Sequence, residues 1–235
     1  MGSSENHAVR DYILQELSAQ GADPQVQTAS VVQPTEVMPY VGGTVQNVIG
    51  RLKGTGGDKA VLLMAHYDSA PTSPGAADDG SAVAALLETA RALKTGPALR
   101  NDIIFLLTDG EEFGLLGSRA FVAEHPWVKD VGVVFNFEAR GNGGPSIMFE
   151  TSDGNGWLIR EFARSSPYSF ANSLSGEVYE ELPNDTDFTV MKKAGLPGLN
   201  FAFINGLPRY HTSRDSLDNT DQRSVQHHGS YALSL

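Results

Sequence analysis

The sequence predicts an α/β fold: a three-layer α/β/α sandwich with a central mixed, mostly parallel sheet. The first observation behind this prediction is the uninterrupted apolar run 60–65, which is typical of a strand buried on both faces of a sheet. The second is that similar runs alternate with helical patterns along the rest of the chain. The third is that 26–32 and 43–52 alternate apolar with polar residues, as antiparallel strands do, which makes the sheet mixed.

The predicted elements follow one another in a regular order. Apolar residues recur at helical spacing near the start of the chain and predict an amphipathic helix over about 6–20. An Ala-rich helix over 81–93 follows the strand 60–65, with Asp79 or Ser81 as its cap. The other strands are expected at 102–108, 131–137, 146–150 and 198–203, the other helices at 114–124, 156–163, 186–194 and from about 221, and loops at 70–77, 140–145, 165–182 and 204–209.

The composition excludes several functions. The 235 residues, with 40% hydrophobic content, fit a single large domain that spans 1–235. The net charge of −11 argues against nucleic acid and anionic membranes as partners, and no Lys/Arg cluster offsets it. Because the chain has no cysteine, any metal must be held by His, Asp and Glu side chains.

The two ends suggest a domain excised from a longer protein. Helical patterns begin almost at the first residue and are still running at the last, and the first residues do not resemble a signal peptide. No apolar run approaches the roughly 20 residues of a membrane span. We therefore expect any membrane anchor to lie outside this chain, in a full-length protein that is extracytoplasmic, secreted or membrane-associated. The oligomeric state is left open.

Metal-ligating residue types follow the ends of the predicted strands. Because the carboxyl ends of parallel strands meet at one edge of an open sheet, these side chains should converge there. Two histidines and three carboxylates can hold two zinc ions, with one carboxylate bridging, and a further carboxylate can act as a base for water. The candidates are His66 and Asp68 after strand 60–65, Asp78 in the next loop, Glu111 and Glu112 after strand 102–108, Glu138 at the end of strand 131–137, and Tyr210 and His211 after strand 198–203.

Each candidate also has a purely structural interpretation. A single His-x-Asp is more often a hydrogen-bonded pair than a site, an Asp-Asp-Gly is commonly a turn and helix cap, and two glutamates before a glycine can be a solvated loop. Glu138 is harder to explain in this way, because a carboxylate at the end of a buried strand needs a partner. The combination of all of them at successive strand ends favours a metal centre.

These residues give the chain its resemblance to the co-catalytic di-zinc aminopeptidase family, which also contains glutamate carboxypeptidase II, the glutaminyl cyclases and the non-catalytic transferrin receptor ectodomain. The resemblance covers about 40–220. It implies two zinc ions and a peptide substrate with a free N-terminus. It further implies that the metal ligands are His66, Asp78, Glu112, Glu138 and His211, and that Asp78 bridges the two ions and is often followed by a cis peptide. The other implied roles are that Asp68 orients His66, that Glu111 is the general base, and that Tyr210 hydrogen-bonds the developing oxyanion.

Glu138 departs from the pattern of the family, since most members have Asp at this place. Glu is one methylene longer, so its backbone must sit further from the metal. With Glu at this place, the chain resembles the vacuolar and endoplasmic-reticulum membrane-anchored branch of the family. A carboxylate is still supplied, so metal binding is still expected.

The resemblance implies hydrolysis of an N-terminal peptide bond, and three alternatives stay open. A glutaminyl cyclase would use one zinc ion and would not need His66. A carboxypeptidase would need a patch of arginines, for which Arg140 and Arg209 are the available residues. A non-catalytic member would be expected to have lost ligands, and none is lost.

Several other polar residues are expected to be structural. The cluster 184–187 is interpreted as a helix cap, although family members often have a similar cluster that lines the site. Asp215 is expected in a loop before the last helix, together with Asp218 and Asp221. His125, His227 and His228 lack a matching context and are expected at the surface.

Overall fold

The computed structural model describes residues 1–34, 40–183 and 185–234. Helices and strands alternate over most of this length, as the sequence predicts. The strands are β1 (Gln25–Gln33), β2 (Val41–Leu52), β3 (Ala60–His66), β4 (Ile103–Thr108), β5 (Val131–Ala139), β6 (Ile147–Thr151) and β7 (Gly198–Phe203). The helices are α1 (Ser4–Ala19), α2 (Gly80–Thr95), α3 (Leu116–Glu124), α4 (Gly156–Ser165), α5 (Ser173–Glu180), α6 (Asp187–Lys193) and α7 (Gln222–Ser234), with short 3-10 helices at Pro126–Asp130, Leu207–Arg209 and Leu217–Asn219.

The strands form one mixed sheet of seven strands in the order β1-β2-β4-β3-β5-β7-β6. The four central strands, β4, β3, β5 and β7, run parallel to one another. The pairs β1–β2, β2–β4 and β6–β7 are antiparallel, so β2 and β6 run opposite to the central strands, whereas β1 runs in the same direction as they do. The central strands therefore all end at the same edge of the sheet, which is where ligand sites of open α/β sheets form.

Helices cover both faces of the sheet and divide its core in two. Neighbouring strand residues point to opposite faces, so Leu63 packs with α1, α2, α4 and α7, whereas Met64 packs with α3 and α6. Both side chains are almost fully buried. This two-sided burial explains why the central strands are continuous apolar runs in the sequence.

Two details of the helices differ from the prediction. The helix expected over 114–124 starts at Leu116, because Leu115 has a left-handed backbone with φ 61°. The segment 165–182, expected to be a loop, contains α5. No residue of α5 is buried, so its sequence shows no periodic apolar pattern from which a helix could be predicted.

Within the described ranges, no helix combines the length and apolar character that a membrane crossing requires.

Candidate metal centre

Four of the parallel strands deliver the candidate residues to one edge of the sheet. His66 is the last residue of β3, and Glu138 is the penultimate residue of β5. Glu111 and Glu112 follow β4 in a turn, and His211 lies in the segment after β7. Because β3 pairs with both β4 and β5, their ends are neighbours, and the predicted convergence is present in the structure.

Asp78 lies between the two histidines. Its Oδ1 is 3.2 Å from Nε2 of His66, and its Oδ2 is 3.0 Å from Nε2 of His211. The peptide that joins Asp78 to Asp79 is cis. One carboxylate with each oxygen facing a different imidazole is the arrangement that a bridging ligand requires.

The tautomer of His66 follows from its hydrogen bond. Its Nδ1 lies 3.0 Å from the backbone carbonyl of Asp68, which can only accept, so Nδ1 carries the proton. In the neutral ring, Nε2 then presents its lone pair to Oδ1 of Asp78 and, at 3.6 Å, to Oε2 of Glu138. A lone pair that faces two carboxylate oxygens requires a cation or a proton between them.

The Asp68 carboxylate contacts a different partner from the one expected. Its Oδ1 is 3.6 Å from Nδ1 of His66, too far for a hydrogen bond. Instead the carboxylate accepts hydrogen bonds from the backbone amides of Glu111, at 3.0 Å, and Glu112, at 3.3 Å. Asp68 thus orients His66 through its backbone carbonyl and orients the glutamate turn through its side chain.

The glutamate turn is built by the glycines around it. Gly110 and Gly114 have φ angles of 76° and 104°, which L-residues with a side chain rarely adopt. The amides of Gly114 and Leu115 donate to the carbonyl of Glu111 and close the turn. This geometry sends Oε1 of Glu112 to within 3.1 Å of Nε2 of His211.

Tyr210 and His211 form the half-buried wall of the centre. Their rings stack with centroids 3.7 Å apart, and the Arg140 guanidinium lies 5.7 Å from the Tyr210 ring centroid. Burial and the nearby carboxylates, including Asp78 and Glu112, raise the pKa of Tyr210, so its hydroxyl stays protonated and able to donate.

The centre crowds negative charge. Burial, together with other carboxylates such as Glu138, raises the pKa of Glu111 well above its usual value. Burial also raises the pKa of Glu112, partly offset by His211. Burial lowers the pKa of His211, but Asp78 and Glu112 outweigh it and raise that pKa to about 9. Without a metal, the cluster is therefore balanced by bound protons.

The residues present fit a bound metal. Ligand atoms of His66, Asp79 and Glu138 lie within 4.8 Å of one another, as do those of Asp78, Glu112 and His211. The Nε2 atom of His211 is buried, yet no described residue satisfies it with a hydrogen bond of normal geometry. Because the chain has no cysteine, the donors are imidazole nitrogens and carboxylate oxygens, and zinc accepts both.

Two buried acids at the centre were not among the expected site residues. Asp79 was expected as a helix cap, but its side chain makes no capping bond and instead accepts from the His66 backbone amide at 3.1 Å. Asp187 was expected in a capping cluster, and Thr186 does take the N-cap position of α6. Asp187 itself is buried, accepts from the Thr108 hydroxyl, and has a pKa that burial raises to about 6. Asn184 of that cluster lies outside the described residues.

Two histidines expected at the surface are buried. His125 stacks on Phe121 with ring centroids 5.2 Å apart. His228 on α7 is fully buried, and its Nε2 donates to the backbone carbonyl of Glu138 at 3.0 Å. One sequence pattern could have indicated its burial: His228 is three residues before Tyr231, which also faces the core.

A sizeable cavity in the described part of the chain lies away from this centre. It has a volume of about 800 Å³ and lies between α1 and α2, where Tyr12 and Leu87 line it. Of the candidate site residues, Asp68 alone is among the described residues that line it. The candidate metal centre is distinguished instead by its converging ligand atoms and by its shifted pKa values, which are the more direct signs of chemistry.

Comparison with protein families and curated proteins places the chain among metallopeptidases. The profile described as Peptidase family M28 matches residues 47–235. Endoplasmic reticulum metallopeptidase 1 of Mus musculus is 31% identical over 251 residues, covering 100% of this chain and 28% of that protein. The vacuolar membrane protease of Candida albicans is 35% identical over 237 residues, with the same coverage of 100% and 28%. The chain thus spans little more than a quarter of the length of these relatives.

Solved structures share the architecture. A glutaminyl cyclase of Porphyromonas gingivalis superposes with a TM-score of 0.78 at 22% identity, covering 99% of this chain and 89% of that one, which shows a common fold. A zinc aminopeptidase of Bacillus subtilis gives a TM-score of 0.65 at 27% identity, covering 81% of this chain and 49% of the other. The α/β/α fold of a zinc exopeptidase is confirmed. With the profile match over most of its length, the chain belongs to peptidase family M28, a family of zinc metallopeptidases.

Proposed function

We propose that this chain is the catalytic domain of a di-zinc aminopeptidase that hydrolyses N-terminal peptide bonds. The observation that carries the proposal is the position of Asp78, whose two carboxylate oxygens each face the Nε2 atom of a different histidine. A single-metal site would need one such contact. A carboxylate shared between two imidazoles favours two ions that it bridges.

The ligand roles follow from the contacts. His66 and Glu138 would hold one ion, His211 and Glu112 would hold the other, and Asp78 would be shared. These assignments agree with the distances of 3.0 to 3.6 Å between their ligand atoms. The Nε2 atom of His211 is buried and lies 3.0 Å from Asp78 and 3.1 Å from Glu112, which supports its role. Zinc bound here would act as a Lewis acid and make water acidic enough to be deprotonated near neutral pH.

Glu111 would be the general base. Its backbone amide is fixed by Asp68, yet no ligand role in the proposed set occupies its carboxylate. Burial and the surrounding carboxylates raise its pKa, which brings a glutamate towards the range where it can both take and return a proton. It would remove a proton from the attacking water and then deliver it to the departing amine nitrogen.

Tyr210 would stabilise the oxyanion that forms on the scissile carbonyl. Its raised pKa keeps the hydroxyl protonated, so it can donate a hydrogen bond to a developing negative charge. The stacking of its ring on His211 holds Tyr210 beside a proposed metal ligand. Removal of one such donor typically slows an enzyme about 10²- to 10³-fold.

A free N-terminus fits the charge of the site. Asp79 and Asp187 are buried acids beside the proposed ligands, and each has one carboxylate oxygen without a hydrogen-bond partner among the described residues. An ammonium group gains from such an acidic environment, whereas a substrate carboxylate would be repelled. Arg140, one of the two arginines considered for a carboxypeptidase, lies over the ring of Tyr210.

We further propose that this domain works on the extracytoplasmic side of a membrane, as part of a longer protein. The support is in the names of its relatives, which are an endoplasmic reticulum metallopeptidase and a vacuolar membrane protease.

The proposal is tested with a panel of matched substrates. The zinc-loaded chain would be given dipeptides with a free N-terminus, the same dipeptides acetylated at the N-terminus, and a peptide that begins with glutamine. We expect amino acid release from the unblocked dipeptides only, with zinc content of about two ions per chain. Cleavage of acetylated substrates would contradict the aminopeptidase assignment, and cyclisation of the glutamine peptide would assign the chain to cyclase chemistry.

The matched control is Glu111→Gln, which keeps the size of the side chain and removes its basicity. It should retain both zinc ions and lose about 10²- to 10⁴-fold in kcat. An unchanged kcat in this variant would show that another group is the base.

A further inference from the structure

Asp215 holds together the two loops that carry Asp78 and His211. Its side chain is 1% exposed. Oδ1 accepts hydrogen bonds from the backbone amide of Ala77 and from the side-chain amide of Asn142, both at 2.8 Å. Oδ2 accepts from the backbone amide of Asp78 and from the hydroxyl of Ser73, both at 3.2 Å. The carboxylate is thus enclosed by four donors, two of which are the main chain of the Asp78 loop.

Further contacts link the same two loops. The backbone carbonyl of Asp215 accepts from the amide of Ala76 at 3.3 Å. The hydroxyl of Thr72 donates to the backbone carbonyl of His211 at 2.8 Å. The segments 72–78 and 211–215 are therefore joined by hydrogen bonds at Thr72 and Ala76 as well as by the Asp215 carboxylate. None of these hydrogen bonds belongs to a helix or a strand pairing.

His211 needs such support more than the other proposed ligands. Its φ angle is 55°, a left-handed conformation that costs a non-glycine residue free energy. Its side chain is 37% exposed, whereas those of Asp78 and Glu112 are 5% and 7% exposed. Packing therefore constrains His211 less than its partners, and a strained, half-exposed residue persists only where neighbouring contacts determine its position.

We propose that Asp215 is a positioning residue that sets the distance between Asp78 and His211, and thereby the affinity for the ion that these two residues share with Glu112. The inference rests on the ligand roles given under the proposed function. It assigns a role at the metal centre to a residue whose sequence context indicates only a loop. Partners that fix ligands in this way commonly change metal affinity 10- to 100-fold when they are replaced.

The test measures zinc binding without substrate. Asp215→Asn keeps the volume of the side chain, but its amide group turns a donor towards the backbone amides that Asp215 accepts from. Asp218→Asn is the matched control, because Asp218 is an exposed aspartate three residues further along the chain. We expect the zinc dissociation constant of one ion to rise at least about tenfold in Asp215→Asn and to stay unchanged in Asp218→Asn, by competition with a chromophoric chelator.

A second variant covers the case in which Asp215→Asn fails to fold. Ser73→Ala removes one half-buried donor to Oδ2, together with the acceptor of the Gly75 amide, and should weaken the same ion a few-fold in a protein that still folds without metal. Unchanged zinc affinity in the folded Asp215→Asn protein, or in Ser73→Ala if the former does not fold, would overturn the role of Asp215. A wild-type chain that binds no zinc would instead overturn the proposed function.

Discussion

The side-chain amide of Asn136 donates a hydrogen bond to Oε1 of Glu138, two residues further along the same strand, at 3.0 Å. Residues i and i+2 of a strand share a face, so the two side chains lie side by side at the edge of the sheet. The other oxygen, Oε2, then points to His66 at 3.6 Å. The longer glutamate at this position is thus fixed by a neighbour from its own strand.

Replacement of Asn136 by Leu should weaken one zinc ion about 10- to 100-fold, because Oε1 of Glu138 loses its donor and the carboxylate can rotate away from His66. The same amide also donates to Oδ1 of Asn200 at 2.9 Å, so a loss of stability of about 1–3 kcal/mol is expected as well. Zinc affinity and chemical denaturation of the metal-free chain separate the two effects. Unchanged zinc affinity would show that Glu138 needs no such neighbour.

Asp68→Asn should lower kcat with little change in zinc content. The charged acceptor of the Glu111 and Glu112 amides becomes a neutral one, so the turn that carries the proposed base loses rigidity. The steady-state rate on an unblocked dipeptide and the bound zinc would be measured together. Asp58→Asn, at an exposed position, is the control. A loss of zinc with an unchanged rate per bound zinc would contradict this interpretation.

Zinc binding should become tighter as the pH rises towards 9. The pKa of His211 is raised to about 9 by Asp78 and Glu112, against the effect of burial, so its proton must leave when a metal binds. The same proton stabilises the metal-free fold below about pH 6.5, and this stabilisation is lost as the pH rises through about 9. Calorimetric titration in two buffers of different ionisation enthalpy measures the released protons. Proton release that His211→Ala leaves unchanged would contradict the assignment.

The fold should become less stable in acid because of His228. Burial lowers the pKa of this histidine to about 3, so the unfolded chain binds a proton that the folded chain excludes. Stability attributable to this residue is therefore lost as the pH falls below about 6.5. His228→Gln should flatten the dependence of the free energy of unfolding on pH, measured by urea denaturation. His7→Gln, at an exposed position, should retain the full slope.

The parts of the molecule that the sequence predicts are those fixed by local patterns. The continuous apolar runs of β3 and β4 identify buried strands, and the residues that directly follow them supply the candidates at the centre. The helix α5 was missed because an exposed helix has no periodic pattern, and its Gly176 favours a loop interpretation.

Some contacts could not be predicted because they join residues far apart in the sequence. Asp215 lies in a loop, as expected, but contacts Ala77, 138 residues earlier, and His228 contacts Glu138, 90 residues earlier. The same residue types occur in capping motifs and as buried acids, so Asp187 could not be distinguished from a cap before its surroundings were known. Long-range packing supplies this information, and local sequence does not.

The pairing of β3 has a practical consequence for handling the protein. His66 lies beside Thr108 of β4, and Met64 lies beside Asn136 of β5. A slip of one residue in either pairing would turn His66 to the opposite face of the sheet and leave Ala65 at the rim. If these residues bind zinc as proposed, the amount of zinc bound per chain reports the fraction of molecules whose central strands are aligned correctly. It can therefore serve as a measure of refolding yield when no substrate is at hand.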